Sequence, residues 1–240
     1  MTAVIPGSTF VPIEVSAGLL LDLGDDVFPN RVCGWNGGSI ELSDGDTHYG
    51  IATYGEARLD FEGENYRLRA GMFFVAPGGG RVEGGGSGLI ISRLNYRGLW
   101  QLGGPLEDKG RLRYIDGCSD TLLVCPPLLG EPCLNHLHIP PHTLQSSHTH
   151  PSTRLGVILR GSGECRTPEG GFPLSPGMAW YIPTGCLHAF TTGEEALDVI
   201  AWHPDSDFGP THDHHPMVSR TFVNGVSASG LPEIRTREIA

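Results

Sequence analysis

Residues 140–161 read PPHTLQSSHTHPSTRLGVILRG, and residues 177–192 read GMAWYIPTGCLHAFTT. His148 and His150 stand two apart. On an extended strand both imidazoles leave the same face, where two neutral nitrogens can converge on one ion. A third ligand has to come from elsewhere, and His188 follows Pro183-Thr184-Gly185, a turn that delivers the next strand beside the first. Three protein ligands with open positions are the plan of a catalytic site rather than a closed structural one. A lone HxH pair reads as well as hydrogen-bonded or surface histidines. The two segments in frame favour a divalent-metal site of His148, His150 and His188.

Working outward, the chain repeats itself. Sliding it by 106 residues places Gly55 on Gly161, Gly71 on Gly177, Pro77 on Pro183 and Gly79 on Gly185 with no gap, and Tyr66 falls opposite Phe172. Helix periodicity is interrupted by Gly or Pro throughout. Short β-branched or aromatic runs at 51–54, 57–61, 72–76, 89–94, 155–159, 179–183 and 197–202 are bounded by turn residues and read as strands. An all-β protein duplicated in tandem is expected, with one unit over 1–105, a second over 106–240, and the stretch 100–133 connecting them.

The two quoted segments resemble the signature motifs of the cupin superfamily. The first motif appears as His148, His150, three residues, Arg154, six residues and Gly161, with only the usual Glu missing; the second, Gly177, Pro183, Gly185 and His188, is complete. The resemblance implies two tandem cupin (jelly-roll) β-barrels, a bicupin, with the metal site in the C-terminal one. Three-histidine cupins of the thiol dioxygenase and gentisate dioxygenase kinds are similar in lacking the Glu. That implies one divalent metal ion, Fe(II), and oxygen chemistry, although imidazole serves Zn, Mn, Ni and Cu as well. A metal-assisted isomerase, lyase or hydrolase, and a non-catalytic small-molecule-binding cupin, are the alternatives.

Arg154 is the departure from the family pattern. A guanidinium cannot ligate a metal. Three neutral imidazoles leave the ion's charge uncompensated, and an inward Arg154 adds to it, so a small anionic substrate is expected, its carboxylate oriented by the two-pronged donor. The alternative is an Arg154 turned outward to an acidic partner. At the same offset the first unit carries Leu42, Asp44, His48 and Val82 where the second has His148, His150, Arg154 and His188, so no metal is expected there. His48 reads as a packing residue, and the first barrel as a packing, dimer-forming or lid element; a homodimer is expected.

Other histidines stay open. His136 and His138 share one face of a strand, either lining the pocket or meeting an interface or solvent. The run HPDSDFGPTHDHHPM, 203–217, hints at metal affinity or a tail across the barrel mouth, but its composition also suits a plain surface tail. The six cysteines form no CxxC pair and read as reduced structural thiols, Cys186 among them. With 27 acidic against 16 basic residues and a net charge of -11, the composition argues against a phosphate-tracking surface, and no nucleic-acid partner is expected. No apolar run is long enough to span a bilayer, and no basic-then-apolar leader opens the chain; a cytoplasmic protein without membrane contact is expected.

Overall fold

The computed structural model describes residues 7–236. In chain order the strands are β1 (Val11–Ile13), β2 (Gly18–Leu23), β3 (Asn30–Asn36), β4 (Ser39–Leu42), β5 (Thr47–Tyr54), β6 (Glu56–Phe61), β7 (Glu64–Arg69), β8 (Phe73–Pro77), β9 (Gly80–Glu83), β10 (Ser87–Arg93) and β11 (Gln101–Gly103). There follow β12 (Leu112–Arg113), β13 (Ser119–Val124), β14 (Cys133–Ile139), β15 (Arg154–Gly161), β16 (Gly163–Thr167), β17 (Gly170–Leu174), β18 (Ala179–Ile182), β19 (Ala189–Thr191) and β20 (Leu197–His203). The tail holds α1 (Pro216–Ser219), β21 (Phe222–Val223) and β22 (Val226–Ser227). Each strand expected from the sequence forms, as β5, β6, β8, β10, β15, β18 and β20, with ends moved by a few residues.

The protein is all-β, two jelly-roll barrels in tandem. In the first, a sheet ordered β11-β8-β5-β10-β3-β2 faces one ordered β4-β9-β6-β7; in the second, β1-β18-β15-β20-β14-β13-β12 faces β17-β16-β19. The repeat is visible in register: His48 pairs with Ala76 as Arg154 pairs with Ile182. Its matched glycines carry the turns, since Gly71 and Gly177 both adopt left-handed φ values of 82° and 84° that a side chain would disfavour.

Strand alternation sorts the cores. Leu155, Val157 and Leu159 face away from the second barrel and pack with Tyr49, Val75, Leu89 and Ile91 of the first, burying the outer faces of the two large sheets against each other. Tyr49 meets Trp202 across this seam with ring centroids 5.7 Å apart. Each fully buried Leu, Ile or Val there contributes roughly 1.5–3 kcal/mol. The first barrel's interior is filled by Trp35, Leu59, Phe61, Leu68, Phe74, Val82 and Ile90. The second barrel's interior is apolar at one end, around Cys165, Trp180, Phe190 and Leu197, and open at the other.

Chain order and sheet membership part company at two places. β1, which a division after residue 105 assigns to the first unit, pairs with β18 of the second, Val11 opposite Tyr181. The stretch 100–133 is also more than a connector, because β11 completes the first large sheet while β12 and β13 extend the second.

Candidate metal centre

His148 lies in the extended segment before β15 and His188 just before β19, and the two form an antiparallel bridge: each backbone N–H donates to the other's carbonyl, at 2.9 and 3.0 Å. Gly185 N–H donates to the His150 carbonyl at 2.9 Å, so the PTG turn is stitched to the HxH segment directly. The three rings consequently stand 4.6–5.1 Å apart between centroids. One ring nitrogen from each lies within 4.8 Å of the others. Metal–nitrogen bonds of about 2.0–2.1 Å close that spacing with small ring rotations.

The tautomers suit ligation. His148 Nδ1 lies 2.8 Å from the Ser146 carbonyl and His188 Nδ1 3.0 Å from that of Cys186. A carbonyl only accepts, so both Nδ1 atoms carry a proton, and in the neutral ring Nε2 is then the atom left to bear the lone pair. Burial, followed by the charge of Arg154 and the neighbouring imidazoles, pushes His150 down to about 3. Burial is also the main cause that takes His188 to about 4, against the raising effect of the hydrogen bond it donates to the Cys186 carbonyl. Both rings are neutral at physiological pH. The donor set therefore fits a divalent metal ion of borderline softness.

Arg154 opens β15 and lines the same cavity, whose volume is about 220 Å³. Its Nη1 donates to the Ser152 carbonyl at 3.1 Å, Ser152 Oγ at 2.6 Å and the Thr153 carbonyl at 2.9 Å. Nε is buried without a partner, and Nη2 makes no hydrogen bond among the described residues. The nearest carboxylate, Asp205, stands 3.9 Å away. One edge of the guanidinium is thus pinned and the rest is unpaired. The cavity walls include Trp180, Ile182, Phe190, Val199 and Ala201. Gly156 lets Trp180 lie against the sheet, since a Cβ there would sit 2.6 Å from the Trp180 ring and 1.8 Å from the Ile200 carbonyl oxygen.

The remaining expectations sort plainly. His136 and His138 do share a face, but it is the one turned away from the cavity: His136 Nε2 and His138 Nδ1 both lie 2.9 Å from Asp198 Oδ1, and Arg160 Nε donates to Asp198 Oδ2 at 2.8 Å. Asn135 and Leu137, between and beside them, line the cavity instead. Cys186 is buried in the second barrel's core. Among the described residues none after His203 lines the cavity; His212 and His214 are exposed, and His215 caps α1. His203 itself was missed as a site residue. It ends β20 on the inward parity of Val199 and Ala201, 6.4 Å from His150 between ring centroids, and burial and Arg154 drive its pKa well down.

The first barrel has no counterpart of this site. Val82 pairs with Ile40, and Leu42 with Gly80, so the places of His148, His150 and His188 are taken by Ile40, Leu42 and Val82. The ungapped offset that brought Asp44 into the comparison breaks in the segment before β5, and Asp44 is exposed. His48 is 2% exposed, its Nε2 donating to the Ser43 carbonyl at 2.9 Å and its Nδ1 accepting from Ser92 at 2.7 Å. Burial lowers its pKa.

Residues 135–203, which span β14 to β20 and all three clustered histidines, match the family model described as Cupin domain. The second barrel thus resembles a cupin domain over that span. The cupin fold extends over most of the chain: a Cupin 2 conserved barrel domain protein from Leptotrichia buccalis is similar with a TM-score of 0.58 at 14% identity, covering 83% of this chain and 90% of that one. Ylba from E. coli is similar with a TM-score of 0.59 at 14% identity over 87% of this chain and 96% of its own. A salicylate 1,2-dioxygenase from Pseudaminobacter salicylatoxidans reaches 0.60 at 10% identity over 79% and 76%. No curated protein sequence is a significant match. At such identities these cupins share a fold with this chain, and function has to be argued from the site.

Proposed function

We propose that this protein is a mononuclear metal-dependent bicupin enzyme, an Fe(II) dioxygenase-like oxidoreductase acting on a small carboxylate-bearing molecule. The observation that carries the reading is the convergence of two Nε2 lone pairs, their Nδ1 protons pinned to backbone carbonyls, with His150 and the unpaired edge of Arg154 in one cavity. Bound Fe(II) would supply oxygen activation and an open position for substrate. His148, His150 and His188 would hold the ion through imidazole nitrogens, which bring no negative charge to cancel its own. Arg154 offers Nη2 to an anion, and Trp180, Phe190 and Val199 keep that interaction out of bulk water, where it would be screened. The dioxygenase among the similar folds supports the oxidative assignment by analogy only.

Metal analysis of the purified protein, with oxygen uptake against a panel of small aromatic and thiol carboxylates, tests this. His148→Ala, His150→Ala and His188→Ala should each lose most of the metal while remaining folded. Arg154→Lys should retain metal yet bind anionic substrates about one to two powers of ten more weakly, the worth of a charged hydrogen bond. Full metal occupancy in any histidine variant overturns the ligand set. Turnover with a redox-inert metal and no oxygen uptake replaces the oxidase by a Lewis-acid enzyme.

A further inference from the structure

The cavity has a second polar end. Asp120, on β13, and Asn135, on β14, line it away from the histidines. Asn135 Nδ2 donates to Asp120 Oδ1 at 2.8 Å, which turns the amide so that Asn135 Oδ1 is left without a donor. Asp120 Oδ2 accepts no hydrogen bond among the described residues, and Arg113, which also borders the cavity, forms no ion pair with it. Two acceptors therefore stand side by side with nothing to accept from. Burial raises Asp120 above the ordinary carboxylate value, and the hydrogen bond from Asn135 and the nearby His136 only partly offset it.

The two ends have opposite character. Across the sheet, Asn135 pairs with Ala201, Ala201 with Gly156, and Gly156 with Trp180. Arg154 is two residues further along β15, so the Asn135 and Arg154 backbones lie roughly 10 Å apart across the strands and 7 Å along them. On the strand between them stand Ala201 and His203, and the rest of the lining, Leu137, Val199 and Trp180 included, is largely apolar. The Tyr114 hydroxyl lies in the fields of both ends, Asp120 raising its pKa and Arg154 lowering it, after the larger effect of burial.

We propose that Asp120 and Asn135 form a second recognition subsite, for an N–H or O–H donor, and that the substrate is a bifunctional small acid: a carboxylate at the Arg154 and histidine end, an apolar spacer, and an ammonium or hydroxyl at the Asp120 end. The carboxylate end rests on the function proposed above, whereas the donor end rests on Asp120 and Asn135 alone. A part-buried acceptor pair is matched when a ligand donor arrives, and a ligand lacking the donor leaves it unmatched, which is how polar sites discriminate.

Calorimetric titration of the full chain, metal-free and Mn(II)-loaded, with benzoate, 3- and 4-hydroxybenzoate and 3- and 4-(aminomethyl)benzoate tests the subsite. At least one donor-bearing acid should bind about tenfold or more tighter than benzoate, the value of a hydrogen bond to a charged group. Asp120→Asn should erase most of the advantage of the ammonium probes and leave benzoate within about twofold. Asn135→Leu should shrink the advantage of the hydroxyl probes. Equal affinities across the wild-type series, or no binding by any donor-bearing probe at millimolar concentration, overturn the proposal without recourse to a variant. Parallel losses for benzoate and donor probes in Asp120→Asn do so too. If benzoate affinity ignores both metal and Arg154→Lys while the donor advantage persists, the carboxylate end is wrong and the subsite stands.

Discussion

Metal uptake at low pH provides a sharp measure of how far burial has prepared the site. An ordinary imidazole, with a pKa near 6.5, is almost wholly protonated at pH 5, so each such ligand costs about 1.5 powers of ten in metal affinity between pH 7 and pH 5. Two of them would cost about three. Here His150 is pushed down to about 3 and His188 to about 4, burial being the largest cause in both. At pH 5 His150 holds almost no proton and His188 is only about one-tenth protonated, so their joint contribution falls to about a twentieth of one power of ten. Competition from a single imidazole is the most that remains, roughly 1.5 powers of ten. Zn(II) titrations at pH 7 and pH 5 in a non-coordinating buffer would read the difference directly. A fall of three powers of ten or more would refute the reasoning, because it would require at least two freely titrating ligands. The same depressed values act on folding with a definite sign. Below pH 6.5 the unfolded chain takes up protons that the folded rings refuse, so the metal-free protein should lose stability as the pH falls from about 6.5 towards 4.

Asp198→Asn removes the carboxylate shared by His136, His138 and Arg160 and should cost about 3 kcal/mol in urea denaturation, with metal content unchanged because the cluster lies on the face away from the cavity. Burial alone would raise the Asp198 pKa, but the hydrogen bonds from both histidines and the charge of Arg160 hold it below the ordinary value. Its stabilisation is therefore complete above about pH 4 and lost as the pH drops through the folded value, a loss that Asp198→Asn should not show. Gly156→Ala drives a methyl into the Ile200 carbonyl and the Trp180 ring, so a cost of about 3 kcal/mol or more and an altered tryptophan emission are expected; a wild-type melting curve would contradict the packing described. His48→Ala should leave bound metal untouched and lower stability by about 1–3 kcal/mol, since Ser43 and Ser92 lose their buried partner.

The parts of this site legible in the sequence were those governed by short-range geometry. Two histidines on one strand parity, and a third delivered by a PTG turn, come together because extended backbone leaves them little alternative. Arg154 points inward for the same reason, on the parity of Gly156 and Ile158. What escaped was set by distant partners or by chain length between elements. His136 and His138 share a face, yet which face is decided by Asp198, more than fifty residues away, together with Leu134 packing into the seam between barrels. Prolonging the strand read at 197–202 by a single residue would have brought His203 into the pocket. Reading the first barrel without gaps paired His148 with Leu42, whereas the sheet pairs Val82 with Ile40; the empty ligand set survives because all the candidate positions that reach the interior are aliphatic.

The pairing of β1 with β18 has a consequence for how the molecule is made. Val11 leaves the ribosome far ahead of Tyr181, its partner, so β1 stays unsatisfied until nearly the whole second barrel has emerged. Phe10, beside it, is buried against Phe172, again a partner from the distant half. Closing so long a loop is slow, and until it closes β18 presents an open edge to other chains. The β1 segment thus acts as a latch on the second barrel, and removing it would leave that barrel with a raw sheet edge rather than set it free.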